Sequence, residues 1–178
     1  LGTALHKLNK INEAIDSYNK AINININFAE AFNNLGNARK ELSQYSEAKA
    51  CFKKAIKIKP NYFYAFNNLG STYLELGKKE EALSCFQEAV KIKPDFAEVY
   101  NNLGMVFSDL LKFDQSLINY NKAIKLKPND EKFYNNLGNL FSNLGEYDKA
   151  TEEYRKAIKI KPDYAKAYSN LLFNLNYK

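Results

Sequence analysis

The chain has 178 residues, of which 46% are hydrophobic and 26% are charged, a composition ordinary for a soluble globular protein and sufficient for one domain. It contains no apolar run of about eighteen residues, so no membrane span is predicted. The formal charge of +6 permits nucleic acid, an anionic surface or an acidic partner as ligand and selects none of them. Only Cys51 and Cys85 are cysteines, which favours a reducing, cytoplasmic compartment. The chain begins at Leu1 without a methionine, so we expect a fragment whose missing targeting signals carry no weight.

A fixed interval of 34 residues runs through the chain. It separates the prolines, a set of alanines and four copies of the tetrapeptide Asn-Asn-Leu-Gly, the first of which is 33–36. Full units are therefore predicted at 29–62, 63–96, 97–130 and 131–164. Residues 1–28 are the tail of an earlier unit, and residues 165–178 are the start of a later one.

Each unit carries two successive helical patterns. The first pattern places apolar residues at i, i+3, i+4, i+7 and i+10 on one helix face. In the first full unit these positions hold Phe32, Leu35, Gly36, Arg39 and Leu42, of which only Arg39 is not apolar. A short break follows, and then a second stripe, which contains Tyr45, Ala48, Phe52, Ala55 and Ile56. The second helix is predicted to end before each Lys-Pro step, because a residue that precedes proline is pushed out of the helical region.

The predicted unit is thus a pair of short antiparallel helices. The glycine of each tetrapeptide is expected to let the two helices approach closely, with Ala48, Ala82 and Ala150 on the facing helix. Aromatic residues are expected to fill the seams between units. One such hairpin cannot bury its own apolar surface, whereas stacked neighbours can, so the predicted fold is an all-α solenoid.

These features resemble the tetratricopeptide repeat family over essentially all 178 residues. The marks are an aromatic residue before Leu-Gly, a second aromatic, an alanine and a proline, in register in four full copies. The chain departs from the pattern at Arg39, which replaces the second aromatic in the first copy, at Leu111, which replaces a turn glycine, and at Leu172, which replaces the close-contact glycine. Residues 165–178 are therefore expected to form a closing helix or a junction. The resemblance implies a right-handed superhelix whose first helices line a concave groove for a protein or peptide partner.

The paired asparagines are the candidate site. Asn34 lies about 100° around the helix from Leu35, on a stripe that by resemblance faces the groove. An asparagine has two donors and an acceptor and can bond both the C=O and the N–H of an extended partner chain. We predict an asparagine ladder that holds a peptide backbone, formed by Asn34, Asn68, Asn102, Asn136 and Asn170. Its expected neighbours in the groove are Asn37, Asn139, Tyr64, Glu75, Lys132 and Lys166. The alternative is that these asparagines tie neighbouring units together by hydrogen bonds.

Charge along the predicted groove is uneven. Acidic side chains lie toward its N-terminal end, with Lys40 as the only base there; they are Glu30, Glu41, Glu75, Glu98 and Asp109. Lys132 and Lys166 lie toward the other end. We expect a partner that is basic where it meets the early units and acidic at the far end. The alternative is that these residues are solvated at the groove edges.

Other function classes find little support in the sequence. One chaperone-binding subgroup of the family grips a terminal carboxylate with lysine, asparagine and arginine; here asparagines occupy the corresponding lysine and arginine positions, which argues against chaperone C-termini as ligands. Recurrent lysines at the ends of the second helices offset the helix dipole, and no nucleic-acid motif accompanies them. With His6 as the sole histidine, no metal site or catalytic triad can be assembled. The chain is therefore not predicted to be an enzyme or to hold a cofactor.

Two alternatives to a free-standing scaffold remain open. The segment 169–177 resembles the junction after the repeats in O-linked N-acetylglucosamine transferase-like proteins, so the chain could be the substrate-recruiting arm of a larger enzyme. Apolar residues near both ends of the chain, such as Leu8 and Phe173, also allow head-to-tail self-association.

Overall fold

The computed structural model describes residues 1–177; Lys178, the last residue of the predicted closing segment 165–178, lies outside the described residues. The described residues form eleven α-helices and no strand. In chain order the helices are α1 Gly2–Lys7, α2 Ile11–Ile24, α3 Ala29–Glu41, α4 Tyr45–Ile58, α5 Phe63–Glu75, α6 Lys79–Ile92, α7 Ala97–Asp109, α8 Phe113–Leu126, α9 Glu131–Asn143, α10 Tyr147–Ile160 and α11 Ala165–Leu175. The prediction of an all-helical fold built from antiparallel helix pairs is confirmed.

The helices group into two units, one spanning Leu1–Pro94 and the other beginning at Asp95. In the first unit α3 pairs with α4 and α5 with α6, while α3 also contacts α5. In the second unit α7 pairs with α8 and α9 with α10, and α9 contacts both α7 and α11. Odd-numbered helices from α3 onward are called first helices below, and even-numbered helices are called second helices. Within each unit the first helices are therefore direct neighbours.

The turns follow the expected chemistry. Every second helix from α4 to α10 ends two residues before a proline, as predicted from the Lys-Pro steps. Helices α1, α3, α5, α7 and α9 each end in a turn in which the second residue after the helix has a left-handed backbone, with φ between 58° and 75°. Glycine takes that conformation at least cost, but the five residues found there are Asn9, Ser43, Gly77, Leu111 and Gly145.

The close approach within each hairpin involves different partners from those predicted. A Cβ added at Gly36 would lie 2.6 Å from Cε1 of Phe52, and the same holds for Gly138 against Tyr154. The glycine thus accommodates a buried aromatic ring of the second helix, whereas the sequence reading assigned Ala48 and its equivalents to that contact. The reason is geometric, since a flat ring can lie against a helix backbone only where no side chain projects.

Apolar packing within each unit joins one repeat to the next. In the first unit, Tyr18 of α2 packs in a buried cluster with Leu35 and Ala38 of α3. In the second unit, Tyr120 of α8 packs with Leu137 and Leu140 of α9. This packing fixes the spacing of neighbouring first helices, and it is the first helices that carry the asparagines.

Candidate functional site

The two asparagines of each doublet have different environments. The first is buried in three copies, with exposed fractions of 5% at Asn33, 8% at Asn101 and 3% at Asn135. The second is half-buried in every copy, at Asn34, Asn68, Asn102, Asn136 and Asn170. Burial of a side-chain amide is costly unless its polar atoms are hydrogen-bonded. The buried asparagines therefore require partners inside the protein.

Those partners are the second asparagines of the following repeat. Asn68 Nδ2 donates to Asn33 Oδ1 at 3.0 Å. Asn136 Nδ2 donates to Asn101 Oδ1 at 2.9 Å, and Asn170 Nδ2 donates to Asn135 Oδ1 at 2.9 Å. These three bonds, called the amide bridges below, each join first helices of adjacent repeats within one unit. They correspond to the interpretation in which the asparagines tie neighbouring units together.

Part of the side-chain amide stays available at Asn34 and Asn68 in the first unit. Asn68 uses one N–H in its bridge, and its Oδ1 accepts only a long bond from Asn67, at 3.5 Å. Asn34 Oδ1 likewise accepts from Asn33 at 3.4 Å. An amide has two N–H groups and an oxygen with two lone pairs. The oxygens of Asn34 and Asn68 thus retain acceptor capacity for the N–H of a ligand.

Asn170 is more heavily committed than the other second asparagines. Its Nδ2 donates to Asn139 Oδ1 at 3.0 Å as well as to Asn135. Asn139 Oδ1 also accepts from the hydroxyl of Tyr154, at 2.9 Å. Burial raises the pKa of that hydroxyl, so Tyr154 remains a donor throughout the physiological range. The result is a small amide network that fixes the side chains of α9 and α11.

An open cavity lies over this network in the second unit. Its volume is about 510 Å³, and its lining is formed by Asn135, Asn136, Asn139, Tyr164, Ala165, Lys166, Ser169 and Asn170. Four of the predicted site residues, Asn136, Asn139, Asn170 and Lys166, therefore line one cavity. Lys166 is exposed, so the rim of the cavity carries a cation. The predicted residue Lys132 is exposed near the start of α9 and does not line the cavity.

The corresponding face of the first unit is more aromatic. The Tyr64 side chain is 46% exposed, and its ring centroid lies 4.0 Å from that of Phe63. Tyr64 lies one helical turn before Asn68 on α5. Farther along the same face, Lys40 Nζ donates to Ser71 Oγ at 2.6 Å, which joins α3 to α5. Burial lowers the pKa of Lys40, while the charges of Glu75 and Glu41 oppose that shift.

Two of the predicted acidic groove residues are paired with lysines of second helices, and a third, Glu41, has its Oε1 2.9 Å from His6 Nε2. Lys59 Nζ lies 2.8 Å from Glu30 Oε1, and this hydrogen bond lowers the pKa of Glu30. Lys127 Nζ lies 3.0 Å from Glu98 Oε1, and its bonds to Asp130 and Glu98 raise the pKa of Lys127. These lysines stand at the ends of second helices, where the sequence predicted that they offset the helix dipole. Glu75 and Asp109 are exposed, and Asn37 is half-buried. A basic partner for the early repeats stays a prediction.

The sequence reading did not assign a role to the first asparagines. Three of them, Asn33, Asn101 and Asn135, are acceptors in the buried part of the amide bridges. The sequence does contain a sign of this pairing, because Asn33 and Asn68 are 35 residues apart, one residue more than the length of the repeat. That offset is the one expected if the second asparagine of one repeat contacts the first asparagine of the preceding repeat.

The structure thus defines a repeat scaffold of helix hairpins whose first helices are joined by side-chain amides. Family models support the same class. A model described as TPR repeat matches residues 2–43, 36–77, 70–110 and 112–145, and a model described as Tetratricopeptide repeat matches residues 131–164. The chain belongs to the tetratricopeptide repeat family. Both matching models describe the repeat itself.

Solved structures of the same family show similar folds. A thermophilic TPR protein from Thermus thermophilus, TTC0263, has a TM-score of 0.87 at 22% identity, with 99% of this chain and 96% of that chain covered. A MamA chain from Desulfovibrio magneticus has a TM-score of 0.76 at 22% identity, with 92% of each chain covered. At these identities the likeness concerns the fold alone. YrrB, described as a TPR protein with an unusual peptide-binding site, has a TM-score of 0.70 at 26% identity, with 94% of this chain and 87% of that chain covered. A search of curated protein sequences found no significant match.

The helices are short and amphipathic. None of those within residues 1–177 combines the length and the apolar character that a bilayer-spanning helix requires.

Proposed function

We propose that the chain is a peptide-binding scaffold and that peptides bind along the first helices, over the asparagine ladder. The observation that carries this proposal is the cavity of about 510 Å³ in the second unit, where Asn136, Asn139 and Asn170 converge beside Lys166. The likeness to YrrB, described as having a peptide-binding site, supports the same reading.

The amide bridges suit this role because they hold the ladder rigid. A binding group whose rotamer is already fixed loses little conformational entropy when a ligand arrives. In the second unit, Asn136 and Asn170 are each fixed through Nδ2, and each retains acceptor capacity at Oδ1. We therefore expect the ladder to bind a peptide chiefly by accepting its backbone N–H groups. This is narrower than the grip on both N–H and C=O that the sequence alone allowed.

The spacing of the ladder asparagines is compatible with an extended peptide ligand. Packed helices lie roughly 8–10 Å apart, and an extended chain advances about 3.3 Å per residue. One asparagine of the ladder would then hold about every third residue of the peptide. Backbone recognition of this kind tolerates many sequences, so side chains beside the ladder would set the preference. In the second unit Lys166 favours an acidic residue.

The test starts from a random peptide library displayed on phage and selected against the native chain. Affinities of the enriched peptides are then measured by calorimetry with three variants. Ser169→Leu fills the cavity from an exposed position, and Lys166→Glu reverses the charge at its rim. Lys159→Glu is the matched control, because Lys159 is an exposed lysine of α10 that does not line this cavity.

We expect Ser169→Leu to weaken binding at least tenfold and Lys166→Glu to weaken binding of acidic peptides, while Lys159→Glu leaves affinity unchanged. Circular dichroism checks that all variants remain equally helical. Equal affinity of every variant for every selected peptide would contradict the proposed site, and a library that yields no binder would contradict the proposed function.

A further inference from the structure

Two large aliphatic side chains, one in the second helix α8 and one in the turn before it, are strongly exposed. Ile118 is 65% exposed and Leu111, just before the helix, is 75% exposed. The internal repeats provide a comparison at both positions. The position of Ile118 is occupied in the other copies by Asp16, Ala50, Ser84 and Glu152, and that of Leu111 by Asn9, Ser43, Gly77 and Gly145. Only the third full repeat carries large aliphatic residues at these two exposed positions.

Leucine at position 111 is also unfavourable for the backbone. Its backbone is left-handed, with φ of 58°, a conformation that a residue with a Cβ adopts only at a steric cost. The Leu111 side chain is largely in water, so burial of its apolar atoms does not offset this strain. A strained residue with an exposed apolar side chain is a reason to look for a contact surface.

Ile118 lies at the centre of a short row on the outer face of α8. Asp114 is four residues before it and Lys122 four residues after it, so the three residues form one i±4 row. All three are exposed, whereas Ser116, Tyr120 and Ala123, on the opposite side of the helix, are buried. The Lys122 Nζ lies 4.2 Å from the centroid of the Tyr100 ring, which orients that side chain. The row is therefore acidic at one end, apolar at its centre and basic at the other end.

Such a row is complementary to a second copy of itself. When two α8 helices pack antiparallel about a two-fold axis at Ile118, the residue four positions before the centre on one helix is level with the residue four positions after it on the other. Asp114 of each copy then meets Lys122 of the other copy, and the two isoleucines meet at the axis. A crossing angle of about 50°, the commonest class for helix pairs, aligns i±4 rows of this kind.

We infer that the outer face of α8 is a self-association surface that joins two copies of this chain through Asp114, Ile118 and Lys122. The contact is isologous, the usual form of a two-fold homodimer.

The corresponding rows of the other second helices do not have this property. In α10 the central residue is Glu152, which would meet its own copy as a like charge. In α6 both flanking residues are acidic, Glu80 and Glu88. In α4 the row Ser46–Ala50–Lys54 has a base without an acid. The charge arrangement therefore selects α8 over its repeats.

The association is weak because the contact is small. A single pair of helices buries less than the roughly 1,200 Å² of total surface at which stable interfaces begin. We therefore expect a reversible dimer that forms at high protein concentration, independent of any peptide on the first helices.

Charge reversal tests the inference in sedimentation velocity experiments over a concentration series up to about 1 mM. Asp114→Lys and Lys122→Asp should each weaken self-association at least tenfold, because they place two like pairs across the axis. An equimolar mixture of the two variants should associate as the native chain does, because each lysine of one variant then meets an aspartate of the other. A native chain that stays monomeric at 1 mM, or a mixture that fails to associate while both variants are fully helical, would overturn the inference.

Disulfide trapping provides a second readout. The natural cysteines are first replaced by Cys51→Ser and Cys85→Ser, because Ser17 occupies the equivalent position in an earlier copy. In this background, Ile118→Cys places two thiols at the two-fold axis. The control is Ser84→Cys, an exposed residue at the same position of α6. Under mild oxidation we expect covalent dimers of Ile118→Cys to form at least tenfold faster than those of Ser84→Cys. Equal rates would contradict the two-fold contact.

Discussion

The side-chain amide of Asn136 donates to the side-chain oxygen of Asn101, 35 residues earlier in the chain, at 2.9 Å. This bond crosses from α9 to α7 and satisfies an acceptor on a side chain that is almost wholly removed from solvent, since Asn101 is 8% exposed. It answers why the repeat contains two asparagines in succession: the first is an acceptor for the next repeat, and the second is a donor to the preceding one.

Asn136→Ala should lower the free energy of unfolding by about 1–3 kcal/mol, because it leaves the buried Oδ1 of Asn101 without a donor. The double variant Asn101→Ala, Asn136→Ala should lower the free energy of unfolding by less than the sum of the losses in the two single variants. The measurement is urea unfolding followed by circular dichroism, analysed as a double-mutant cycle. Additive effects, with no coupling beyond about 0.5 kcal/mol, would mean that the amide bridge adds nothing to stability.

Gly138→Ala should destabilise the second unit. The added Cβ would lie 2.6 Å from Cε1 of Tyr154, so the buried ring or the helix has to move, at a cost of roughly 1–3 kcal/mol. The matched control combines the change with Tyr154→Leu. We expect Gly138→Ala to cost clearly less in the Tyr154→Leu chain than in the native chain, as measured by thermal unfolding. If Gly138→Ala destabilised both chains equally, the loss of stability would come from the helix backbone and not from the contact with Tyr154.

Leu111→Gly should raise the stability of the monomer by about 1 kcal/mol. The residue has a φ of 58°, and glycine removes the steric cost of that conformation while the loss of an exposed side chain forfeits little burial. Leu111→Ala is the control, because it shortens the side chain but keeps the Cβ. Melting temperatures measured at low micromolar concentration should rise for the glycine variant only. A similar gain with alanine would attribute the effect to the exposed side chain rather than to the backbone.

Cys85 should react slowly with alkylating reagents in the folded chain. Burial, with smaller opposing and reinforcing charge effects, raises the pKa of its thiol to about 11. At pH 8 the reactive thiolate fraction is then about 100-fold lower than for a thiol with a pKa near 9. The iodoacetamide reaction, followed by mass spectrometry of the Cys85 peptide, should quicken about tenfold for each pH unit from 8 to 10. Urea-unfolded chain is the control, and equal rates for folded and unfolded chains at pH 8 would refute the shift.

The sequence by itself determined the repeat, the two helices of each unit and the residues that end them. These features depend on local rules: the apolar period of 3.6 residues, the exclusion of helical backbone before proline, and a 34-residue interval that is plain in the positions of Pro60 and Pro94. The ladder of second asparagines was also identified from their place on the helix surface relative to Leu35, and its role in binding remains a proposal.

Only the tertiary structure decided how the asparagines are used. A single asparagine offers donors and an acceptor, and the sequence does not say which atom meets which neighbour. That choice depends on the relative height and rotation of two helices 34 residues apart, which packing of residues such as Tyr120 against Leu137 determines. The same holds for Gly36, whose partner is Phe52 and not an alanine. Helical periodicity is a property of a short segment, whereas hydrogen-bond pairing and ring placement are properties of two segments in fixed relation.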